Sequence, residues 1–169
     1  MIGIGDRAPE FELPDTDGES QALQTPAVVI FTCNHCPYAL AWHERLMDVA
    51  RDYEDVHFYS INPNDAERHP RDSFEAMTER VRSDGGWPMP YVHDATQEVA
   101  RAYGAKTTPD VFVVDSGGAL RYRGAPDADH QDDSQNASWL REALDSMLAG
   151  EEIARPETDP VGCSVKWRQ

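Results

Sequence analysis

Apolar positions along the chain follow two alternating rhythms. Ala27-Val28-Val29-Ile30-Phe31 is a short unbroken apolar run, the pattern of a strand buried on both faces. From Pro37 to Tyr53 the period lengthens: Leu40, Trp42, Leu46, Val49, Ala50 and Tyr53 recur at helical intervals. Val56 to Ile61 returns to strand and is ended by Asn62-Pro63-Asn64. Ser73 to Arg82 predicts a second helix, closed by Gly85-Gly86; Tyr91-Val92 predicts a short strand. Ala95 to Tyr103 predicts a third helix with Gly104 as its stop. Val111 to Val114 and Ala119 to Arg123 flank Asp115-Ser116-Gly117-Gly118, a β-hairpin signal. The polar loop Ala125 to Asn136 leads into a helix over Ser138 to Leu148. Asp6 to Ser20 reads as a turn-rich lead-in, the chain beyond Gly150 as irregular, and there are no internal repeats. Strands alternating with helices, then a hairpin, predict an α/β fold: a central mixed β-sheet flanked by helices.

A chain of 169 residues is long enough for one domain with a substantial core. Residues 1–150 are assigned to that domain and 151–169 to a C-terminal tail packed on it. The formal net charge of −16 opposes nucleic-acid binding, which needs a basic surface. Lys106 and Lys166 are the only lysines. An acid-rich, lysine-poor surface suits high salt, where self-repulsion is screened, and predicts a halophilic origin. Met1-Ile2-Gly3-Ile4-Gly5-Asp6 lacks the basic start of a signal peptide, and no apolar stretch is long enough to span a bilayer. The expectation is a cytoplasmic protein without membrane contacts, monomer or homodimer.

Cys33-Asn34-His35-Cys36 falls between the first strand and the first helix. Two thiols at this spacing can close a small disulfide. If they open the helix, its free N–H groups and positive dipole end favour the thiolate of the first. In a reducing compartment such a pair is redox-active or metal-binding rather than a structural staple.

Strand, CxxC at a helix start, Thr-Pro before a strand, hairpin and final helix, in that order, resemble the thioredoxin fold. The lead-in Gly5-Asp6-Arg7-Ala8-Pro9-Glu10-Phe11-Glu12-Leu13 and the insertion between Asn62 and Pro90 resemble the redoxin (AhpC/TSA-like) branch, which includes peroxiredoxins and membrane-tethered thiol reductases. Cys33-Asn34-His35-Cys36-Pro37-Tyr38, Tyr103-Gly104-Ala105 with Thr108-Pro109-Asp110, and Gly162-Cys163-Ser164-Val165-Lys166-Trp167 resemble a group of bacterial and archaeal redoxins described as thiol-disulfide isomerases or thioredoxin-family proteins. The resemblance implies a redoxin-type N-terminal extension and insertion, and thiol-disulfide exchange without a cofactor.

It further implies that Cys33 attacks and Cys36 resolves, with Asn34, His35, Pro37, Thr108 and Pro109 in support. Pro37 suits a first helical turn, where an N–H lacks an intrahelical partner anyway. His35 either stabilises the Cys33 thiolate through its ring or is an inert first-turn residue. Thr108-Pro109 resembles a cis-proline loop beside the active site. Cys163 is either a third thiol docking near Cys33 or a small apolar side chain packing the tail.

Departures from the pattern narrow the reading. Thr32 stands where thioredoxin has Trp, and Ala27 stands where it has a buried acid. Glu67, Asp94 and Asp110 are candidate replacements for that acid. Thr107 stands where some relatives carry a further cysteine. Ile30 stands where a peroxiredoxin needs Thr or Ser, which places a thiol peroxidase using Cys33 second to disulfide exchange. A metal module is the third reading: zinc on Cys33, Cys36, Cys163 and one histidine, or copper on the two CxxC cysteines and a distant His93 or His130. The absence of a second CxxC disfavours it, and no metal is assigned. The expected partners are protein or small-molecule disulfides and a thiol electron donor.

Overall fold

The computed structural model describes residues 2–169. Its centre is a five-stranded sheet of order β5-β4-β3-β7-β8, built from β3 (Ala27–Phe31), β4 (His57–Asn62), β5 (Tyr91–His93), β7 (Asp110–Val114) and β8 (Leu120–Gly124). β3 runs parallel to β4 and antiparallel to β7, and β4 runs parallel to β5, so the sheet is mixed as expected.

Because successive strand residues point to opposite faces, the run over β3 divides between two cores. Val28 and Ile30 join Val111 and Val113 beneath α1 (Pro37–Asp52) and α4 (Ser138–Leu148), where Trp42, Leu46, Leu140 and Leu144 pack. Val29 and Phe31 join Phe112 and Tyr103 on the other face, under α3 (Glu98–Tyr103) and the lead-in residues Ala8 and Phe11. This two-sided burial explains why β3 reads as continuous rather than alternating.

Three elements differ from the sequence expectation. The lead-in contains a hairpin of β1 (Glu12–Pro14) and β2 (Ser20–Ala22). The third helix begins at Glu98 rather than Ala95, because Asp94 accepts the Ala100 N–H at 2.8 Å and Gln97 adopts a left-handed backbone just before the first turn. The tail is not wholly irregular: β9 (Cys163–Ser164) pairs antiparallel with β6 (Thr107–Thr108), bringing Cys163 opposite Thr108. Among the described residues no helix is long and apolar enough to cross a membrane.

The insertion between β4 and β5 holds a 3-10 turn, Pro70–Asp72, and α2 (Phe74–Ser83), capped by Ser73 through the Ala76 N–H. Both insertion elements lean over the C-terminal ends of the parallel strands. Crevices at those strand ends are where open α/β sheets place their ligands.

Candidate active site

Cys33 leaves the end of β3 and Cys36 precedes α1. Cys36, not Cys33, is the helix N-cap residue, and Pro37 occupies the first turn. The expected placement of Cys33 at the helix start is therefore corrected. Residues 33–35 are instead held in a non-helical turn by side chains of the insertion. Asp72 Oδ1 accepts the Asn34 N–H at 2.7 Å, and the Arg71 carbonyl accepts Asn34 Nδ2 at 2.7 Å. Arg80 donates to the Cys33 carbonyl and to Asn34 Oδ1, each at 3.1 Å, and the Tyr91 hydroxyl donates to Asn34 Oδ1 at 2.7 Å.

The two sulfurs face Thr108, whose peptide bond to Pro109 is cis. Thr108 Oγ1 lies 3.3 Å from Cys33 Sγ, and Cys36 Sγ donates to the Thr108 carbonyl at 3.1 Å. Both cysteines are free thiols and almost without exposed surface, at 1% for Cys33 and 0% for Cys36. Cys163, half-buried on β9, packs against them and Ala39.

These thiols ionise as a unit, because a hydrogen bond between two sulfurs favours one charge and opposes a second. The Cys33–Cys36 contact, reinforced by burial, pushes Cys33 up. The same contact pulls Cys36 down to about 4, against the opposing effect of burial. Thr108 biases the charge the other way. Its carbonyl can only accept, which keeps Cys36 as an S–H donor, whereas its hydroxyl can donate to a Cys33 thiolate and lowers that thiol. One proton of the pair is therefore easily lost and the other firmly held.

The acid at this site is Asp72, not one of the three named from the sequence. It is fully buried, and its Oδ2 lies 2.7 Å from His35 Nδ1, although without hydrogen-bond alignment. Asn62 Nδ2 and Asn64 Nδ2 donate to its two oxygens at 3.1 and 3.0 Å. The candidates named from sequence are committed elsewhere. Asp110 pairs with Arg123 at 2.9 Å, Asp94 caps α3, and Glu67 is exposed. Asp72, Arg80, Asn62, Asn64 and Tyr91 had no motif of their own; the one signal was the polar Asn62-Pro63-Asn64 ending an apolar strand.

His93 and His130, named as distant metal ligands, lie against other rings: His93 on Phe74 with centroids 5.7 Å apart, and His130 on Tyr38 at 4.3 Å. Among the described residues the group able to hold a metal is Cys33, His35 and Asp72, with donor atoms all within 4.8 Å of one another.

The AhpC/TSA family profile matches residues 4–123. A structure of a hypothetical protein from Sinorhizobium meliloti is 34% identical, with a TM-score of 0.92, covering 99% of this chain and 96% of its own. An uncharacterized conserved protein from Geobacillus kaustophilus is 36% identical, also at 0.92, with coverage of 99% and 94%. A thio-disulfide isomerase from Thermus thermophilus is 27% identical at 0.63, covering 90% of this chain and all of its own. No curated protein matches the chain. With its mixed five-stranded sheet and the family match over most of its length, the chain belongs to the AhpC/TSA redoxin family of the thioredoxin-like superfamily.

Proposed function

We propose that the protein is a thiol-disulfide oxidoreductase working through Cys33 and Cys36. The observation that carries this reading is the division of Thr108 between the two sulfurs: hydroxyl toward Cys33, carbonyl accepting from Cys36. It distinguishes a thiolate position from a thiol position within one pair. The Cys33 thiolate attacks a substrate disulfide, forms a mixed disulfide and expels the first substrate thiolate. Cys36 then loses its proton to the departing sulfur, attacks Cys33 and releases the second thiol, leaving a 33–36 disulfide. Run in reverse, the cycle oxidises a substrate dithiol.

Asp72 and His35 act as positioning residues. The His35 backbone N–H lowers the Cys33 thiol and its ring lies within reach of that sulfur, which favours the thiolate, while the Asp72 charge opposes it. The reading therefore implies a pair more oxidising than thioredoxin, whose potential is about −270 mV. Equilibration with glutathione, together with rates of disulfide reduction and peroxide consumption, tests this. Disulfide exchange should be the faster reaction, and the potential should lie above thioredoxin's. Peroxide consumption outrunning disulfide exchange would favour the peroxidase reading instead.

The grouping of Cys33, His35 and Asp72 supports a second reading, a divalent metal site of one sulfur, one nitrogen and one oxygen donor. Metal analysis of the reduced protein against its Asp72→Asn variant separates the two. Stoichiometric metal lost in the variant would favour the metal site.

A further inference from the structure

The three cysteines form one cluster, but they do not share one environment. Cys33 and Cys36 are closed off from solvent, whereas Cys163 keeps part of its surface exposed. Cys163 is thus the most exposed of the three cysteines toward a small thiol reductant. We propose, resting on the dithiol reading above, that Cys163 is a third redox thiol that exchanges with Cys36. It would carry the oxidising equivalent from the buried pair to a thiol reductant in solution.

Several independent features hold Cys163 in place. β9 pairs with β6 so that Cys163 lies opposite Thr108, the residue bonded to Cys36. Gly162 allows this approach: a Cβ there would come within 2.3 Å of the Thr108 carbonyl oxygen. Beyond β9 the chain is fastened on both sides. Lys166 N–H donates to Asn64 Oδ1 at 2.9 Å, its carbonyl accepts from Gln97 Nε2 at 2.9 Å, and Val165 N–H donates to the Lys106 carbonyl at 3.1 Å. Val165 itself is buried in the core beside Phe31 and Tyr103. The tail therefore presents Cys163 to Cys36 from a fixed strand.

The exchange balances without any added oxidant. The Cys163 thiolate attacks Cys36 Sγ of the 33–36 disulfide. The S33–S36 bond breaks, the S36–S163 bond forms, and Cys33 leaves as a thiolate that takes up the proton given by Cys163. A reductant thiolate then attacks Cys163, forming a mixed disulfide and releasing Cys36 as a thiolate. A second reductant thiol resolves that mixed disulfide, so two thiols become one disulfide and all three cysteines are reduced.

The test oxidises wild type and Cys33→Ser with oxidised glutathione, quenches in acid, blocks free thiols and maps disulfide-linked peptides by mass spectrometry. The proposal expects a 36–163 disulfide beside 33–36 in wild type, and 36–163 as the main intramolecular product of Cys33→Ser. A wild type that forms 33–36, with no 36–163 bond in either protein, would overturn the relay and leave the dithiol reading standing. Failure of wild type to form 33–36 would remove the dithiol reading and the relay with it. Kinetics supply a second readout: Cys163→Ser should slow re-reduction of the oxidised protein by glutathione about tenfold, because the most exposed of the three thiols is then lost. An unchanged rate would also overturn the proposal.

Discussion

His35 Nδ1 stands 2.7 Å from Oδ2 of Asp72, a carboxylate with no exposed surface. The two residues come from different parts of the chain: His35 from the CxxC turn and Asp72 from the insertion between β4 and β5. Their pairing places a buried acid beside the Cys33 side of the CxxC turn. It also gives the insertion a chemical role, since Arg80 from α2 fixes the Cys33 carbonyl and Asp72 fixes the Asn34 N–H.

Asp72→Asn should change Cys33 reactivity through charge, because the Asp72 carboxylate raises the Cys33 thiol. Asn can still accept one of the existing hydrogen bonds, but it removes the negative charge facing His35. The rate of Cys33 alkylation at neutral pH should rise, because the carboxylate no longer opposes the Cys33 thiolate. The glutathione-equilibrated potential should rise at the same time, because a more stable thiolate favours the reduced pair. If alkylation rate and potential both match wild type, Asp72 is only a structural acid.

Ionisation of the dithiol predicts a pH dependence of stability. The lower ionisation of the pair is brought down to about 4 from an ordinary value of 9.0. Between those values the folded reduced protein has already lost a proton that the unfolded chain still holds. Stability from this source therefore builds as pH rises toward the ordinary thiol range, is lost as pH falls through about 4, and shrinks again above that range because the partner thiol is held up. Denaturant unfolding of reduced wild type should show this gain with rising pH, and Cys36→Ser should lack it. Parallel pH profiles for the two proteins would refute the shared ionisation.

The Thr108 loop depends on a second buried pair. Arg123 reaches Asp110 at 2.9 Å, and the other contact on that carboxylate oxygen is the Lys106 N–H at 3.0 Å, which closes the turn carrying Thr108 and Pro109. Burial holds the Asp110 carboxyl above its ordinary range even with Arg123 present. Arg123→Met leaves that charge uncompensated and should cost about 3–5 kcal/mol at neutral pH. Because the carboxyl is raised, its ionisation opposes folding as pH rises, so the loss should shrink toward acidic pH. Urea unfolding at two pH values measures both effects.

Much of this architecture is legible in the sequence, because β3, β4, α1 and α4 carry enough consecutive apolar positions to declare their period. Cys33, Cys36, Thr108 and Pro109 are legible through spacing and order. Asp72 is not: acidic residues number 31 in the chain, and one more in a polar insertion stands out by nothing local. Its importance arises from a contact 38 positions away in sequence, with Asn34. β1, β2 and β9 are two or three residues long, too short to show a period of two, and they form because a partner strand is at hand. The helix start at Pro37 agrees with the sequence reading, but the sequence does not show that side chains from the insertion hold residues 33–35 outside the helix.

The surface charge carries its own expectation. With a formal charge of −16 and two lysines, repulsion should limit stability at low ionic strength and be relieved by salt. The melting temperature should climb as potassium chloride rises toward molar concentrations. A flat or falling curve would contradict the halophilic reading.

The central claim is that Cys33 attacks and Cys36 resolves, and a mixed-disulfide trap tests it most directly. Cys36→Ser, mixed with a disulfide-linked peptide, should accumulate a covalent adduct that peptide mapping places on Cys33. Cys33→Ser should form no adduct on the same timescale and should lose disulfide exchange. An adduct trapped at Cys36, or wild-type exchange rates in Cys33→Ser, would contradict the account.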